Sequence, residues 1–380
     1  MAMKTIFIFS AVFILYTYLG YPTYLIIKSK LHPRFVRKGF KGALPSVSIV
    51  IAAKNEANNI ERRLENLLEV EYPVHLYEII VVSDGSDDET NNIVQRFSAD
   101  QNPVKLITYF PSEGKPAALN RGVRESQGEI IVFGDSRQSF EKRAVPELAA
   151  NFSDPIVGCV SGELVFLEGP DSSIQKEMGA YWHYEKMVRK LESRTGSVAG
   201  ATGAIYAIRR ELYKDIPHET ILDDVLIPMN TVMQGYRCVF DPSAIAYDFV
   251  SRDMQSELAR KIRTLAGNWQ LLALEPKLML PVANKIWWGF LSHKIFRLLV
   301  PFFLIYLFLA NFFLGGAFFM LTLAGQLLFY SAFAVACFKP SVREKRPINL
   351  IYFFVHLNYA ALAGTWYFLS GNTAKIWKKA

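Results

Sequence analysis

The sequence predicts an α/β domain built on a parallel sheet and enclosed between α-helical transmembrane segments. Short β-branched runs alternate with stretches of helical periodicity from about residue 46 onward, and this alternation is typical of strands joined by crossover helices. Apolar residues make up 51% of the 380 and are concentrated toward the two ends of the chain. The uncharged runs at these ends are long enough to cross ~30 Å of hydrocarbon.

Four apolar runs in the first half of the central region predict strands. Val47–Ala53 is β-branched, and the apolar residues that follow it recur at helical spacing on one face. The later runs, 77–82, 104–108 and 129–133, alternate with helical segments in the same way. This order predicts a parallel sheet with both faces covered. Ligands of such sheets bind beyond the carboxyl ends of the strands.

Acidic residues follow three of these strands, namely Glu56, Asp84 and Asp135. Any one of them alone is better explained as a helix cap or a solvated turn, and Asp87 and Asp88 are interpreted as caps of the helix after them. Three strand-end acids in succession instead predict a ligand site.

Lys115 directly precedes another helical segment. The residues before it lack the spacing of a Walker phosphate loop. A lysine at this position can still meet a diphosphate, both by its charge and through the free backbone amides of the helix start.

Four membrane-spanning helices are predicted. Residues 6–27 carry no charge; a signal peptide is the less favoured alternative, because the run is longer than a signal core and no small-residue cleavage site follows. Residues 298–338 are too long for one crossing and are divided into two helices near a central asparagine and glycine pair. Residues 347–369 give the fourth, which His356 and Asn358 weaken.

Basic residues cluster between positions 28 and 41 and between 339 and 346. The positive-inside bias predicts that both segments are cytosolic, so four crossings place the central domain in the cytosol and both termini outside. This topology places Lys375, Lys378 and Lys379 outside, against the positive-inside bias. Either the last segment is re-entrant or interfacial, or the positive-inside bias does not hold for it.

The same clusters explain the net charge of +7 and suit anionic membrane lipids. No separate basic stripe argues for nucleic acid. The three cysteines have neither metal-ligand nor disulfide spacing, which fits a reducing compartment.

Short motifs recur through the central region. They are Asn55-Glu56, Ser83-Asp84-Gly85-Ser86, Gly114-Lys115-Pro116-Ala117-Ala118-Leu119-Asn120, Phe133-Gly134-Asp135, Ala201-Thr202-Gly203, Leu222-Asp223-Asp224 and Gln234-Gly235-Tyr236-Arg237. Together with the order of membrane segments, they resemble the processive, membrane-embedded family 2 glycosyltransferases, which include cellulose, chitin, hyaluronan and poly-N-acetylglucosamine synthases. The resemblance covers roughly residues 46–270. It implies a GT-A (Rossmann-like) fold, a UDP-sugar donor and Mg²⁺ or Mn²⁺.

The resemblance and the chemistry of the neighbouring residues assign roles in the site. Asp84 would accept a hydrogen bond from the uracil ring, Asp135 would hold the metal ion, and Asp224 matches the catalytic base. The donor-binding residues are expected to be Ala53, Glu56, Asp84, Lys115, Asn120, Asp135, Arg137, Arg260 and Arg263. The acceptor-binding residues are expected to be Thr202, Gly203, Asp223 and Gln270.

The sequence departs from the family's motifs at the metal site. The second acid expected two residues after Asp135 is replaced by Arg137. Arg137 either pairs with the diphosphate, where its planar fork suits phosphate oxygens, or is an ordinary surface arginine.

The acceptor motif Gln-Gln/Arg-x-Arg-Trp aligns with residues 260–264, where the tryptophan is missing. Helical spacing places Trp269 on an apolar stripe that also contains Leu265 and Leu272. A polar stripe with Arg263 and Gln270 lies on the opposite side. Trp269 is therefore predicted to face lipid or the core, and the polar stripe to face the donor phosphates or the acceptor.

The chain is accordingly divided into a transmembrane helix (1–28), a cytosolic catalytic domain (29–250), amphipathic interface helices (251–294) and about three transmembrane helices (295–380). The expected protein is an inner-membrane, inverting hexosyltransferase that uses a UDP-hexose or UDP-N-acetylhexosamine to extend a polysaccharide. Its alternative is transfer of one sugar to a lipid such as a ceramide or a polyprenyl phosphate, because so few crossings without the acceptor tryptophan fit a secretion channel poorly. A homo-oligomer or an export partner would complete such a channel. A pseudoenzyme and a transporter are disfavoured by the intact Asp224 and by spans without charged or broken helices.

Overall fold

One mixed sheet of eight strands forms the centre of the computed structural model, which describes residues 1–40, 42–99, 102–167, 173–249, 254–343 and 345–371. Lys41 and the lysines after residue 371 lie outside these ranges. The strands are β1 Val47–Ala53, β2 Tyr77–Asp84, β3 Val104–Tyr109, β4 Ile130–Phe133, β5 Ser139–Phe140, β6 Val157–Leu167, β7 Tyr206–Arg209 and β8 Arg237–Phe249. The four strands predicted from the sequence are confirmed as β1 to β4.

The strand order is β3-β2-β1-β4-β7-β6-β8-β5. β1 to β4 form the parallel half, whereas β7 runs antiparallel to both β4 and β6. The parallel order predicted for the first four strands is confirmed, and the antiparallel strand β7 was not predicted. The strand-to-helix alternation that predicts parallel order stops after β4, and the chain enters β7 from the opposite edge.

Some helices cover the two faces of the sheet, and others form the candidate membrane region. The helices are α1 Ala2–Leu31, α2 Ile60–Leu68, α3 Thr90–Ala99, α4 Lys115–Arg124, α5 Ala144–Ala150, α6 Ser173–Thr195, α7 Asp223–Met233, α8 Met254–Leu274, α9 Trp287–Phe312, α10 Ala317–Phe338, α11 Pro340–Arg343 and α12 Arg346–Leu369. Alternate residues of β1 pack on opposite sides: Ile49 belongs to the core beneath α2, and Val50 to the core beneath α4. A Cβ on Gly122 of α4 would lie 2.4 Å from Val50, so glycine allows this helix to approach the sheet.

Four helices among the described residues are long and apolar enough to cross a membrane: α1, α9, α10 and α12 from Pro347. The number and order of the predicted spans are confirmed by helix length and composition, and their topology in a membrane stays a prediction. The boundary expected at residue 294 falls instead inside the continuous helix α9, because the helix already begins at the tryptophan pair Trp287-Trp288. The second interfacial element expected over 278–294 is therefore partly the start of this span.

Wide π-type turns interrupt α1 at Tyr16–Gly20 and α9 at Leu291–Ile295. The two turns lie against each other, since the Tyr16 hydroxyl is 2.9 Å from the Ser292 hydroxyl. Such turns insert an extra residue into a helix and are frequent at functional sites.

Helix α8 joins the sheet domain to the last candidate span. Trp269 donates a hydrogen bond from Nε1 to Oγ1 of Thr365 in α12 (2.9 Å) and its ring lies 6.5 Å from that of Phe368. On the opposite side, a Cβ on Gly267 would lie 2.7 Å from Leu222, immediately before α7. The prediction that Trp269 faces the core is thus confirmed, whereas the contact of the polar stripe with a donor or an acceptor stays a prediction.

Candidate active site

Lys115 forms ion pairs with two carboxylates from different elements. Its Nζ lies 2.9 Å from Oδ1 of Asp135, which follows β4, and 3.2 Å from Oδ2 of Asp223 at the start of α7. Burial opposes its protonation, but the two carboxylates outweigh burial and raise the pKa of Lys115. Asp223, which is predicted to contact the acceptor, instead lies against the lysine on the side of Asp135.

Asp84 is buried at the end of β2 and holds the loop before Lys115. Its carboxylate accepts hydrogen bonds from the Ser112 hydroxyl (2.8 Å) and from the backbone N–H groups of Glu113 (2.7 Å) and Gly114 (2.9 Å). Burial favours the neutral acid, yet these hydrogen bonds and the Tyr109 hydroxyl together lower the pKa of Asp84. The carboxylate is thus an ionised anchor of the loop, and its contact with a base remains a prediction.

Ala53 lies beside Ser83, the residue before Asp84, because β1 pairs in parallel with β2 up to this point. The Glu56 N–H donates to Oγ1 of Thr90 at the start of α3 (2.8 Å). Glu56 accepts a hydrogen bond from Nδ2 of Asn59 (2.7 Å). Asp88 accepts from the N–H groups of Thr90 and Ala57 (both 3.0 Å), which confirms its interpretation as a cap of α3.

Asp224 is the second residue of α7, and the loop 200–203 lies against it. The Gly203 N–H donates to Oδ2 of Asp224 (3.1 Å), and the Ala201 N–H donates to its backbone carbonyl (2.7 Å). A Cβ on Gly203 would lie 3.3 Å from the same carboxylate oxygen. The loop therefore leaves a gap over the carboxylate that a side chain at residue 203 would crowd.

The environment of Asp224 suits proton transfer near neutral pH. Burial, together with the charge of Asp223, raises its pKa to about 6, while the ammonium groups of Lys115 and Lys294 oppose the rise. A carboxylate with a pKa in this range can accept a proton from an alcohol in a transition state and release it afterwards.

Two amides predicted to bind substrate hold protein segments instead. Asn120 is buried; its side chain donates to the Ile216 carbonyl (2.8 Å) and accepts from the Ile216 N–H and the Tyr213 hydroxyl. Gln270 accepts from the Ile221 N–H (2.9 Å) and donates to the Glu219 carbonyl (2.7 Å). Both residues therefore shape the chain leading to Asp223-Asp224.

The predicted donor arginines have protein partners. Arg137 donates to Oδ2 of Asp248 (2.6 Å), whose side chain is only 2% exposed. Arg260 lies 3.7 Å from Glu257 of its own helix, and Arg263 follows one turn later. Their contacts with a donor remain predictions, as does the approach of Thr202 to an acceptor.

Two functional neighbours are missing from the sequence-based predictions. Arg63 is fully buried behind the strand end, where a Cβ on Gly134 would lie 2.7 Å from its guanidinium. It occupies the i+3 position of the apolar stripe that begins at Ile60, so a charge on an apolar helix face was the available signal. Lys294 is the second, and its signal was the group of basic residues, with His293 and Arg297, at the start of an apolar helix.

A divalent metal fits this edge only if the donor supplies part of its ligands. The Asp135 carboxylate is 41% exposed, and the neighbouring Ser136 hydroxyl is buried without a hydrogen-bond partner. Among the described residues, no three His, Cys, Asp or Glu side chains form a metal-binding group. One carboxylate completed by substrate phosphates is the usual arrangement for Mg²⁺.

A cavity of about 460 Å³ opens beside the loop 200–203, between β6, α6 and α9. Its wall includes Gly200, Ala201, Arg189 and Lys294. We name it the acceptor cavity, after the role proposed for it below; its lining residue Ala201 contacts the backbone carbonyl of Asp224.

A second, apolar cavity of about 470 Å³ lies among the membrane helices. Its wall includes Leu265 of α8, Phe329 of α10 and Leu357 of α12. Tyr181 lines both cavities, so the apolar cavity adjoins the acceptor cavity.

The sequence matches the model of the family "Glycosyl transferase family 2" over residues 48–217. It is 26% identical over 218 residues to the beta-monoglucosyldiacylglycerol synthase of Trichormus variabilis, covering 56% of this chain and 47% of that protein. It is 22% identical over 234 residues to the poly-beta-1,6-N-acetyl-D-glucosamine synthase of Staphylococcus aureus, covering 60% and 56%. The chain thus spans about half the length of these curated relatives.

The fold also resembles a solved structure. The mannosyltransferase PcManGT from Pyrobaculum calidifontis, in complex with GDP-Man and Mn²⁺, superposes with a TM-score of 0.72 at 22% identity, over 95% of this chain and 98% of that chain. The predicted GT-A fold with flanking apolar helices is confirmed.

Proposed function

We propose that this chain, a glycosyltransferase with a family 2 catalytic domain, moves a sugar from a nucleotide-sugar donor to a hydroxyl group of a membrane-bound acceptor. The observation that carries the proposal is Asp224. It is a carboxylate of raised pKa, contacted by the Gly203 N–H, and its charge interacts both with the Lys115–Asp135 pair and with Lys294 in the wall of the acceptor cavity.

The donor occupies the carboxyl edge of the parallel strands in this proposal. Ala53, Glu56 and Asp84 surround the base, and Lys115 meets the diphosphate. Asp135 and the Ser136 hydroxyl would hold Mg²⁺ or Mn²⁺ together with the donor phosphates, and such an ion would supply Lewis-acid stabilisation of the nucleoside diphosphate leaving group. The donor with a UDP group is the expectation from the sequence; the related fold with GDP-Man and Mn²⁺ bound supports a nucleotide sugar and a divalent ion without fixing the base.

The reaction follows as a single displacement. Asp224 takes the proton of the acceptor hydroxyl, whose oxygen attacks the anomeric carbon of the donor sugar. The bond from that carbon to the diphosphate breaks, and the nucleoside diphosphate leaves with the bonding electron pair. Attack from the face opposite the leaving group converts an α-linked donor into a β-linked product.

The apolar cavity favours a lipid acceptor over a growing polysaccharide. Its wall comes from membrane helices and adjoins the acceptor cavity at Tyr181. A sugar polymer needs polar partners along its path, whereas a hydrocarbon chain gains from contact with such a wall. The similarity to a poly-beta-1,6-N-acetyl-D-glucosamine synthase supports the polymer as second candidate. The reaction is proposed to occur at the cytosolic face of the inner membrane, on the side of the basic segments.

The test uses purified full-length protein in nanodiscs with native membrane lipids. Radiolabelled UDP- and GDP-sugars are supplied in turn with Mg²⁺ or Mn²⁺, and products are separated by size and by organic extraction. We expect an organic-soluble product of one added sugar. Water-soluble product of high mass would assign the polymer function, and absence of any donor turnover would contradict the proposal.

A further inference from the structure

Charges are unevenly paired in the wall of the acceptor cavity. Three glutamates line it, and each has a polar or charged partner, although Oε2 of Glu192 is buried without one among the described residues. Glu163 pairs with Lys186, Glu185 pairs with Arg297 and His293, and Glu192 accepts hydrogen bonds from Tyr21 and His293. In the part of the chain that the structure describes, neither Arg189 nor Lys294 has a carboxylate within ion-pair distance.

Arg189 and Lys294 are held in the wall close to Asp224. Arg189 donates to the Ser161 hydroxyl (2.6 Å), and its guanidinium lies 5.1 Å from the centre of the Phe240 ring. The Lys294 ammonium opposes the rise in the pKa of Asp224. The Asp224 carboxylate in turn opposes the fall that burial causes in the pKa of Arg189. Cations enclosed by protein without a counter-charge are costly, so an anionic ligand would stabilise them.

The order of the protein groups along the two cavities indicates which chemical groups a ligand would need, and in which order. Asp224 requires a hydroxyl to deprotonate, the two cations require a negative charge behind it, and the apolar cavity beyond Tyr181 requires a hydrocarbon chain. A phosphate oxygen acting as nucleophile would not need a base and would be repelled by ionised Asp224. The negative group therefore lies next to the hydroxyl-bearing head and not at the reacting position.

We propose that the acceptor is an anionic lipid in which a sugar or polyol headgroup is joined through a phosphate to a hydrocarbon chain. This inference rests on the proposed function and specifies its acceptor class. The headgroup hydroxyl lies at Asp224, the phosphate contacts Lys294 and Arg189, and the chain occupies the cavity lined by Leu265, Phe329 and Leu357. Charge-assisted contacts of this kind are the stronger hydrogen bonds of a binding site.

The experiment separates a native membrane lipid extract into neutral and anionic fractions on an anion-exchange column. Each fraction is incubated in mixed micelles with the full-length protein, radiolabelled donor and Mg²⁺ or Mn²⁺. We expect the label to enter a lipid of the anionic fraction. Label in the neutral fraction, or release of free sugar without labelling of either fraction, would overturn the inference while leaving the glycosyltransferase proposal intact; no donor turnover at all would contradict that proposal instead.

Inorganic phosphate distinguishes a lipid phosphate from a free anion. Competition by phosphate against the anionic fraction is expected if both occupy the same two cations. Transfer to the neutral fraction that inorganic phosphate inhibits would assign these cations to a free anion and would contradict the lipid headgroup.

Lys294→Met tests the cationic contact directly. The concentration of anionic fraction giving half-maximal transfer should rise about 10- to 100-fold, the range for loss of one hydrogen bond to a charged group. Lys294→Arg should restore most of it. Lys142→Met is the matched control, because this lysine is 59% exposed and lies 3.4 Å from Glu69. An unchanged half-maximal concentration in folded Lys294→Met, as judged by elution profile and Tm, would contradict the contact.

Discussion

Among the residues that the structure describes, the cations near Asp223 are ion-paired with carboxylates, whereas two cations of the acceptor cavity near Asp224 are not. On the side of Asp223, Lys115 lies between two carboxylates and Arg137 is paired with Asp248. On the side of Asp224, two cations of the acceptor cavity lack such partners. Under the proposed function, a donor with its metal ion would exchange protein partners as it binds, whereas the proposed anionic acceptor would supply a charge to the two cations. Consecutive residues of one helix thus serve two different electrostatic environments.

The sharpest test of this difference is Asp224→Asn beside Asp223→Asn. Asp224→Asn should lower kcat by about 10²- to 10⁴-fold, because the amide keeps the shape and cannot take the proton. Asp223→Asn should act mainly on the donor KM, since it removes one partner of Lys115. Turnover and calorimetric nucleotide binding check both variants. Equal losses of kcat in the two would remove the distinction.

Metal removal tests the donor side alone. Asp135→Ala or EDTA should lower transfer roughly 10²-fold or more, because a Lewis acid at a leaving group supplies several kcal/mol. Nucleotide affinity with and without Mn²⁺ is the accompanying measurement. Glu69→Ala is the control, since it removes an exposed carboxylate that faces a lysine elsewhere (Lys142, 3.4 Å). Full activity in EDTA would leave Lys115 and Arg137 as the stabilisers of the leaving group.

The pH profile tests the acceptor side. A base with a pKa of about 6 is active when deprotonated, so kcat should fall as the pH drops through about 6. Below that value the fall should approach about tenfold per pH unit, as the ionised fraction of a single base does. Initial rates in overlapping buffers give the profile. Residual activity of Asp224→Asn with the same acidic limb would assign it to another group.

The smallest effects are expected in α8, from a pair of neighbouring residues. Gln270→Ala should reduce kcat several-fold, because the segment before Asp223 loses its two hydrogen bonds to the amide. Trp269→Phe should cost about 1 kcal/mol in stability, the net value of a typical hydrogen bond, with kcat nearly unchanged. Turnover per folded molecule and denaturation midpoints separate the two. A large loss of transfer in well-folded Trp269→Phe would give this ring a role at the acceptor.

Periodic and local features of the sequence predicted β1 to β4, the four apolar helices and the core-facing position of Trp269 in α8. The mixed half of the sheet was not accessible in this way, because the antiparallel direction of β7 depends on long-range pairing with β4 and β6. Motif positions identified Lys115, Asp135 and Asp224. They did not reveal that the side chains of Asn120 and Gln270 form hydrogen bonds with backbone groups. They also did not reveal that Lys294, which is distant in sequence, lies near Asp224. Both facts arise only from tertiary packing.

Trp269 and Gln270 are neighbours in sequence and bind different segments of the chain. One holds Thr365 in a candidate membrane helix, and the other holds the Ile221 backbone three residues before the base. A sideways shift of α12 would therefore displace α8, and with it the Ile221 backbone segment that precedes Asp224. In a bilayer, the thickness and tension of the membrane would then reach the catalytic carboxylate through two adjacent side chains, without a dedicated regulatory domain.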